Sequence, residues 1–502
     1  MNKRRWITAG VFLLALVAAV FTAVLCNEMK KKGSSDGKGS VIDEADIKVI
    51  RYAVPSDLYR LPEKNLKAFN EALLKDGKPY RLEVKELGPC ILSDEYQETL
   101  EKQLKSGEID VAYMGLSSET GENWVYDLIH AGLVLNLEDI LTGDRGKVIY
   151  DAFPKELWEA VKCDKHIYSI PAGLTTADQG VFAAFNRDYI SDADIEAWDG
   201  TIDGIYEIIK KVDWEDSENP RFHYLIDLFE FDEMLGCEIN YGLLFDYETL
   251  TVENPLESEK VMHFLKVLDQ MKKDGFLGLN VAYTQENDYD PDKYNQEVWD
   301  RIADGKFLVA LSADYVEEEF RKPNITVKRI HPYLTSKVRG SVAISKQAAD
   351  VNAVVDFLSL LYGEEKYANI LLYGREGTDY KTVDGVAYNM DGSELEPEIF
   401  DKMLLNLTVN VYPGSGEKTL INRKEELFAF YKNVAKSPFL GFEPDTAKLG
   451  GISETMKEFI IAALGKDTSL DETAAAAADK LKADAIDDYL RSVRSQWEDF
   501  RK

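Results

Sequence analysis

Residues 164–188 read DKHIYSIPAGLTTADQGVFAAFNRD. This stretch decides the predicted fold because it contains two apolar segments joined by a polar bend. Pro171 ends the first segment, since proline has no amide proton to donate to a central ladder. Residues 181–185 form the second segment, a strand of the buried type that stops at a turn signal. We therefore predict a hinge between two lobes, with Pro171 and Gly173 at its elbow.

The length and composition of the chain agree with two lobes. A chain of 502 residues exceeds one ordinary hydrophobic core. Its 45% hydrophobic and 30% charged residues are typical of a folded globular protein. We predict one lobe from residues 45–170 and 340–365, and a second lobe from residues 175–335 and 395–502.

The N-terminus predicts export. Basic residues 3–5 precede an apolar run over residues 7–25, and Cys26 follows it. Residues 1–26 resemble a bacterial lipoprotein signal, in which cleavage leaves the cysteine as a lipidated N-terminus. An uncleaved membrane helix and complete secretion are the alternatives, because the run has nearly the length that spans a bilayer. Each places the rest of the chain outside the cytoplasmic membrane, after a flexible tether over residues 27–44.

Charge narrows the class of partner. The formal net charge is −31, and no basic stripe interrupts the acidic excess. Nucleic acids and polyanionic ligands are therefore disfavoured. A neutral solute fits best, and the acidic surface is otherwise explained by solubility.

The cysteines indicate no disulfide framework. Beyond Cys26 the chain has Cys90, Cys163 and Cys237, an odd number without a C-x-x-C pair. We expect at least one of the three to be a buried free thiol.

The first lobe alternates strands and helices. Apolar and β-branched runs predict strands at residues 47–54, 82–84 and 109–113. Apolar residues that recur on one face predict helices at residues 62–74 and 94–105 between them. This order is the signature of a parallel sheet, in which ligands bind outside the carboxyl ends of the strands.

No residue pattern identifies a catalytic or metal site. The five histidines fall in no metal-binding spacing, and neither a G-x-S-x-G elbow nor a P-loop occurs. Asp288, Asp290 and Asp292 begin like a calcium loop, but Lys293 and Trp299 replace its glycine and final glutamate. We predict a non-enzymatic protein without a metal or cofactor. A glycoside hydrolase stays an alternative, since it needs only two facing carboxylates.

Six segments, in order, resemble a known family. Residues 107–113 read GEIDVAY and residues 131–141 read AGLVLNLEDIL; the others are residues 164–171, 181–188, 305–311 and 340–345. By these segments the chain resembles the extracellular solute-binding proteins of ABC importers, in the group that binds sugars and oligosaccharides. Residues 373–380 and 437–445 resemble a lipoprotein-like subgroup. Residues 312–315, Ser-Ala-Asp-Tyr, replace a frequent Gly-Pro-Trp of the family.

The resemblance implies a two-lobed, periplasmic-binding-protein-like (Venus flytrap) α/β fold. Each lobe is then a mainly parallel sheet flanked by helices. About three hinge segments join the lobes: residues 164–188, the return over residues 331–341, and a link near residues 363–380.

The resemblance also implies a function. The expected ligand is a neutral carbohydrate, foremost an oligosaccharide, that is held between the lobes and delivered to the transmembrane subunits of an ABC permease. The chain would act as a monomer, held at the outer face of the cell membrane by a lipid on Cys26. The alternatives are a secreted carbohydrate-active enzyme, a receptor that feeds a sensor kinase, and a receptor for peptides or other neutral solutes.

Candidate ligand contacts lie on loops near the carboxyl ends of the predicted strands. Sugars stack their C–H faces on aromatic rings, while polar side chains bind their hydroxyls. Tyr113 and Trp124 are the stacking candidates of the first lobe, although packing alone explains either ring. For the other candidates a turn-forming or capping role is the alternative. They are Asp57, Ser117, Asp178, Gln179, Asp314, Tyr315 and Arg375.

Overall fold

The computed structural model describes residues 42–502 apart from residues 57–60, 90–94, 115–123, 172–180, 213–220, 226–230, 278–299, 313–321, 331–332, 336–340, 394, 396–411, 414–422, 446–447 and 465–468. The chain divides into two compact units, Met1–Ile47 with Glu71–Pro79, and Lys48–Asn70 with Tyr80–Lys502. In the described part of the smaller unit, Asp43 caps the short 3-10 helix Glu44–Asp46 by accepting the Ala45 N–H. Among the described residues, no helix is both long and apolar enough to cross a membrane.

The first sheet of the larger unit has five strands, in the spatial order β2-β1-β3-β15-β6. They are Lys48–Val54 (β1), Tyr80–Glu86 (β2), Val111–Met114 (β3), Ile170–Pro171 (β6) and Ser341–Ile344 (β15). β1 pairs in parallel with β2 and β3, whereas β15 pairs antiparallel with β3 and β6. The predicted alternation of strands and helices in this lobe is confirmed.

Eight helices accompany this sheet among the described residues, and the first two confirm the helices predicted at residues 62–74 and 94–105. They are Glu63–Lys75 (α1), Glu95–Ser106 (α2), Val125–His130 (α3), Glu138–Thr142 (α4), Lys147–Asp151 (α5), Lys155–Ala160 (α6), Val351–Gly363 (α11) and Glu365–Tyr373 (α12). In α2, every fourth residue is buried, beginning at Tyr96. The Tyr96 hydroxyl donates to the Tyr113 carbonyl at 2.7 Å and lies 3.2 Å from the Ala53 carbonyl. The helix is therefore fastened to both β1 and β3.

An ion pair between a half-buried arginine and a buried aspartate joins β1 to the turn before β3. The Arg51 guanidinium donates from Nε and Nη2 to the two Asp110 carboxylate oxygens, both at 2.8 Å. The same carboxylate accepts the Arg51 backbone N–H at 3.0 Å. Asp110 is 2% exposed, so water contributes little and the Arg51 guanidinium compensates most of the carboxylate charge. The aspartate of the GEIDVAY motif thus has a structural role in the first sheet.

The second sheet has four strands, in the order β13-β7-β12-β8. They are Phe182–Asn186 (β7), Arg221–Leu225 (β8), Phe307–Ser312 (β12) and Ile325–Arg329 (β13). β12 is parallel to β8, and β7 is antiparallel to both of its neighbours. Each large sheet thus has one reversed strand, β15 in the first and β7 in the second. The chain enters the second sheet from the first through β7, and it returns to the first sheet through β15.

The second sheet and its helices form the larger described core. The helices are Asp192–Ala197 (α7), Ile202–Ile209 (α8), Asp232–Leu235 (α9), Glu259–Lys273 (α10), Ile452–Leu464 (α14), Leu470–Ala483 (α15) and Ile486–Phe500 (α16). Helix Arg423–Asn433 (α13) instead contacts α6, a helix of the first sheet. Helix α8 begins at a Thr201 cap whose hydroxyl accepts the Gly204 N–H at 3.0 Å. Its four isoleucines are buried in this core.

The C-terminal helix packs on the second lobe through an apolar stripe. Ile486, Leu490, Val493 and Trp497 are buried. Trp497 packs on Phe439, with ring centroids 4.3 Å apart, and its indole N–H donates to the Leu250 carbonyl at 3.0 Å. The tail is therefore an integral part of the core.

Shorter strands complete the described structure. They are Lys162–Cys163 (β4) with His166–Ile167 (β5), Cys237–Asn240 (β9) with Leu243–Asp246 (β10) and Val252–Glu253 (β11), Tyr333–Leu334 (β14) with Ala435–Lys436 (β19), and Tyr380–Val383 (β16) with Val386–Asn389 (β17) and Tyr412–Pro413 (β18). A second 3-10 helix, Pro255–Glu257, precedes α10.

The predicted third link near residues 363–380 is wrong. The Asn65 amide donates to the Leu371 and Leu372 carbonyls, so α12 stays on the first lobe. Tyr380 packs on Tyr373, with ring centroids 5.3 Å apart, which keeps the following hairpin there too. Residues 363–380 therefore stay on the first lobe, and the chain still pairs with this hairpin at Tyr412–Pro413, which runs parallel to β17. The exact lobe boundaries given above stay a prediction.

Candidate functional site

The carboxyl ends of the first sheet meet at one edge. The register pairs Ser341 with Met114 on one side and with Pro171 on the other. Ser341 is buried, and its hydroxyl donates to the Met114 carbonyl at 3.4 Å. We call this row the first edge. In the sequence, residues 115–123 come directly after β3, residues 172–180 come directly after β6, and residues 336–340 come directly before β15.

A second row of strand ends lies on the other lobe. Ser312 pairs with Phe182 and with Leu225, and Phe182 pairs with Arg329. We call this row the second edge. The chain passes directly from Pro171 on the first edge to Phe182 on the second edge, and returns from Arg329 to Ser341. Because both crossings join the same two edges, these edges are the candidate ligand-binding site.

Most of the predicted contacts stand on the segments that begin or end at these edges. These predicted contact residues lie outside the described residues. The hinge candidate Gly173, the lipidation candidate Cys26 and the acidic residues near Asp288 also lie outside them. The contacts concerned are Asp57, Ser117, Asp178, Gln179, Asp314 and Tyr315. Their assignment as ligand contacts stays a prediction. Pro171 is buried in β6, the outermost strand of its sheet, where a missing amide proton costs no ladder bond.

The two aromatic candidates of the first lobe are both buried. Tyr113 is 8% exposed on β3, and Trp124 is 4% exposed at the start of α3. The Trp124 ring packs edge-on against Tyr96 with centroids 6.0 Å apart, within the first-lobe core. This packing supports the structural alternative for Trp124.

Arg375 lies in a turn rather than on an edge. Its backbone N–H donates to the Asp379 carboxylate at 2.8 Å, and its side chain is exposed. Gly374 precedes it at φ 87°, and a Cβ there would lie 2.6 Å from an Asp379 carboxylate oxygen. The turn leads into the sheet β16-β17-β18.

Arg329 lies at the second edge and was not among the residues predicted to contact ligand. Its guanidinium lies over the Phe182 ring at 5.1 Å and over the Phe430 ring at 4.8 Å from the centroids. This sandwich fixes a cationic, donor-rich group among aromatic faces at the end of β13. The available signal was a basic residue at the end of a strand in a strongly acidic chain.

A second cluster lies at the turn between β4 and β5. His130 Nε2 is 3.1 Å from Asp164 Oδ2 and 4.0 Å from Cys163 Sγ. A catalytic Cys-His-Asp relay needs the carboxylate and the thiol on different ring nitrogens, whereas here both face Nε2. Burial raises the pKa of the Cys163 thiol, which disfavours the nucleophilic thiolate. The cluster therefore lacks the geometry of a cysteine hydrolase.

Two of the cysteines are described, and both are buried free thiols. They are Cys163 and Cys237. Cys26 and Cys90 lie outside the described residues. The expectation of at least one buried free thiol is confirmed.

Comparison with known proteins identifies the fold. No family model matches the chain. The N-glycan transport solute binding protein NgtS of Streptococcus pneumoniae superposes with a TM-score of 0.66 at 18% identity, covering 90% of this chain and 98% of NgtS. The fold is that of a solute-binding protein. A curated relative, the carbohydrate ABC transporter substrate-binding protein of the same species, is 21% identical over 432 residues, which are 79% of this chain and 85% of the relative.

The solute-binding-protein fold extends to a second genus. The HMO-binding, ABC-transporter-associated solute-binding protein of Bifidobacterium longum infantis superposes with a TM-score of 0.58 at 14% identity, covering 90% of this chain and 99% of its own. These matches confirm the resemblance given by the six sequence segments and the two-lobed α/β fold.

Proposed function

We propose that this chain is the extracellular substrate-binding receptor of an ABC importer and that it captures a neutral oligosaccharide between its lobes. The observation that carries the proposal is the two-lobed fold, shared over 90% of the chain with NgtS, a solute-binding protein for N-glycan transport. The curated relative, named for carbohydrate transport, supports the same class of ligand. The chain is proposed to bind its ligand without converting it.

The two edges suggest how binding is coupled to closure. A ligand that touches the first and second edges together contacts both lobes only when they are closed. It therefore stabilises the closed state over the open one, by the difference between its affinities for the two. The crossings at residues 172–181 and 330–340 are the proposed hinges, and Pro171 limits the backbone freedom of the first.

Anchoring and delivery complete the proposal. A lipidated Cys26, followed by the tether over residues 27–44, would hold the receptor at the outer face of the cell membrane. The ligand-bound form, as a monomer, would then dock on the permease subunits. The alternative is that the closed receptor signals to a sensor kinase instead of docking on a permease. Uptake of labelled ligand by cells with and without the permease distinguishes import from signalling.

A carbohydrate screen tests the function. We expect at least one neutral oligosaccharide among N-glycan fragments and milk oligosaccharides to raise the thermal midpoint of the full-length protein. At a ligand concentration 100 times Kd the stabilisation is about 2.7 kcal/mol. Chromatography of the ligand after incubation should return it intact. Cleavage products would establish the enzyme alternative instead, and stabilisation by peptides alone would establish a peptide receptor.

Arg329 provides a residue-level test of the second edge. We expect Arg329→Gln to weaken oligosaccharide binding at least about tenfold, because the substitution removes a charged donor for ligand hydroxyls and its stacking on two rings. Isothermal titration calorimetry with the best ligand of the screen measures the change.

Arg187 is a matched control for this test. It follows β7 at the opposite end of the same sheet and binds the exposed Asp192 carboxylate at 2.7 Å. Arg187→Gln removes the same charge from the same lobe and should leave the affinity within about twofold. Equal losses in both variants would show that net charge, rather than the second edge, controls binding.

A further inference from the structure

The turn between β4 and β5 collects three metal-binding side chains from two parts of the chain. His130 ends helix α3, while Cys163 and Asp164 belong to the β4–β5 hairpin. One ligand atom from each lies within 4.8 Å of the other two. We propose that His130, Cys163 and Asp164 form a binding site for a borderline-soft divalent cation of the Zn²⁺ class. This site is separate from the two edges and does not depend on the proposed function.

The separations suit one ion at the centre of the cluster. Around tetrahedral zinc, nitrogen, oxygen and sulfur ligands lie about 3.3–3.6 Å apart. Nε2 and Oδ2 are 3.1 Å apart, and Nε2 and Sγ are 4.0 Å apart. The third separation, from Sγ to the Asp164 oxygen, is at most 4.8 Å, so the His130 and Asp164 side chains would rotate to bring all three atoms to bonding distance from one ion. The same ring nitrogen already faces both other ligands, which is the arrangement that a shared ion requires.

The backbone holds the ligands in place before any ion arrives. Cys163 pairs with His166, and Asp164 and Lys165 between them have φ values of 50° and 69°. Two successive left-handed residues are the conformation of a tight type I′ hairpin turn, which fixes the direction of the Asp164 side chain. The helix that carries His130 is anchored by the buried Leu128 and Ile129.

Exposure and charge favour access by a cation. The His130 and Asp164 side chains are 55% and 63% exposed, whereas Cys163 is buried. The ion can therefore enter from solvent and keep water as a fourth ligand. The Glu443 carboxylate lies near Cys163 and adds negative charge. The ligands of one sulfur, one nitrogen and one carboxylate select zinc-like ions over Mg²⁺ and Ca²⁺.

The coordination step balances without a further reactant. A bond forms between Cys163 Sγ and the cation, and the thiol proton passes to buffer. His130 binds through its neutral Nε2, and Asp164 through an ionised oxygen. No electron transfer is involved. The bound ion would join α3 to the hairpin that directly precedes the first crossing.

Cobalt binding tests the site in the full-length protein in detergent, with Cys26→Ser and Cys90→Ser as the background. We expect one equivalent of Co²⁺ to give a thiolate-to-cobalt charge-transfer band in the near ultraviolet, and Zn²⁺ to displace it. Cys163→Ser should abolish the band. His130→Gln, at an exposed position, should weaken binding more than about tenfold.

A second histidine pair provides the matched control. His263 Nε2 lies 2.9 Å from Asp203 Oδ2, with both side chains exposed and no cysteine in the pair. His263→Gln should leave the cobalt band and the affinity unchanged. Circular dichroism verifies folding, and if Cys163→Ser does not fold, His130→Gln decides. An absent band in the background protein, a band retained in Cys163→Ser, an affinity loss of less than about tenfold in His130→Gln, or an equal loss in His263→Gln would overturn the proposal.

Discussion

Replacing Trp124 by alanine should lower the free energy of unfolding by about 3–5 kcal/mol, the cost of removing a large aromatic side chain from a core. The ring is 4% exposed and packs edge-on against Tyr96. Tyr96 in turn bonds the carbonyl of Tyr113 on β3, so a cavity beside it also loosens α2. Urea unfolding followed by circular dichroism measures the change.

Trp124→Phe is the control for this prediction. It keeps an aromatic ring against Tyr96 and should recover at least half of the lost stability. Oligosaccharide affinity separates the two roles of the residue. If Trp124→Ala leaves stability within about 1 kcal/mol of wild type but abolishes binding, then the ring contacts ligand and its assignment to the core is wrong.

Asp110→Asn should destabilise the protein by about 2–3 kcal/mol, because it leaves the Arg51 guanidinium without its charged partner. The Asp110 side chain is 3% exposed and that of Arg51 is 26% exposed, which places the cost below that of a fully buried pair. The same unfolding assay measures it. Arg51→Met together with Asp110→Asn should cost less than the sum of the single changes, since neither charge is then stranded.

An exposed ion pair on α2 is the control for the stability loss expected in Asp110→Asn. Glu98 and Lys102 are 3.5 Å apart, with side chains 70% and 75% exposed. Glu98→Gln should change stability by no more than about 0.5 kcal/mol. A loss in Asp110→Asn as small as that in Glu98→Gln would contradict the structural role assigned to the GEIDVAY aspartate.

The sequence predicted well those elements whose side chains follow a regular period. Helix α2, which the sequence predicts at residues 94–105, is buried at every fourth residue from Tyr96, because burial on one face imposes that spacing. The predicted position of the third link between the lobes was wrong for a different reason. It is decided by long-range contacts, such as the Asn65 amide on two carbonyls of α12, that leave no periodic trace in the sequence.

The candidate site was predicted in outline only. Strand ends can be recognised locally, so the sequence indicates which segments adjoin the two edges, whereas the ligand contacts assigned to those segments stay a prediction. Which side chains meet there depends on register and on packing across the chain. Arg329 between Phe182 and Phe430 combines residues from three separate segments. His130 lies 33 positions before Cys163, and only the pairing of a helix end with a hairpin brings them together.

The reversed strand β15 has a consequence for the order in which the lobes are completed. It lies between β3 and β6, yet it is synthesised after every strand of the second sheet, whose last strand ends at Arg329. A nascent chain shorter than 341 residues therefore presents unpaired edges of β3 and β6, which are open to mispairing and proteolysis. The lobe that begins first along the chain acquires its native sheet last, once the four strands of its neighbour are already available to fold.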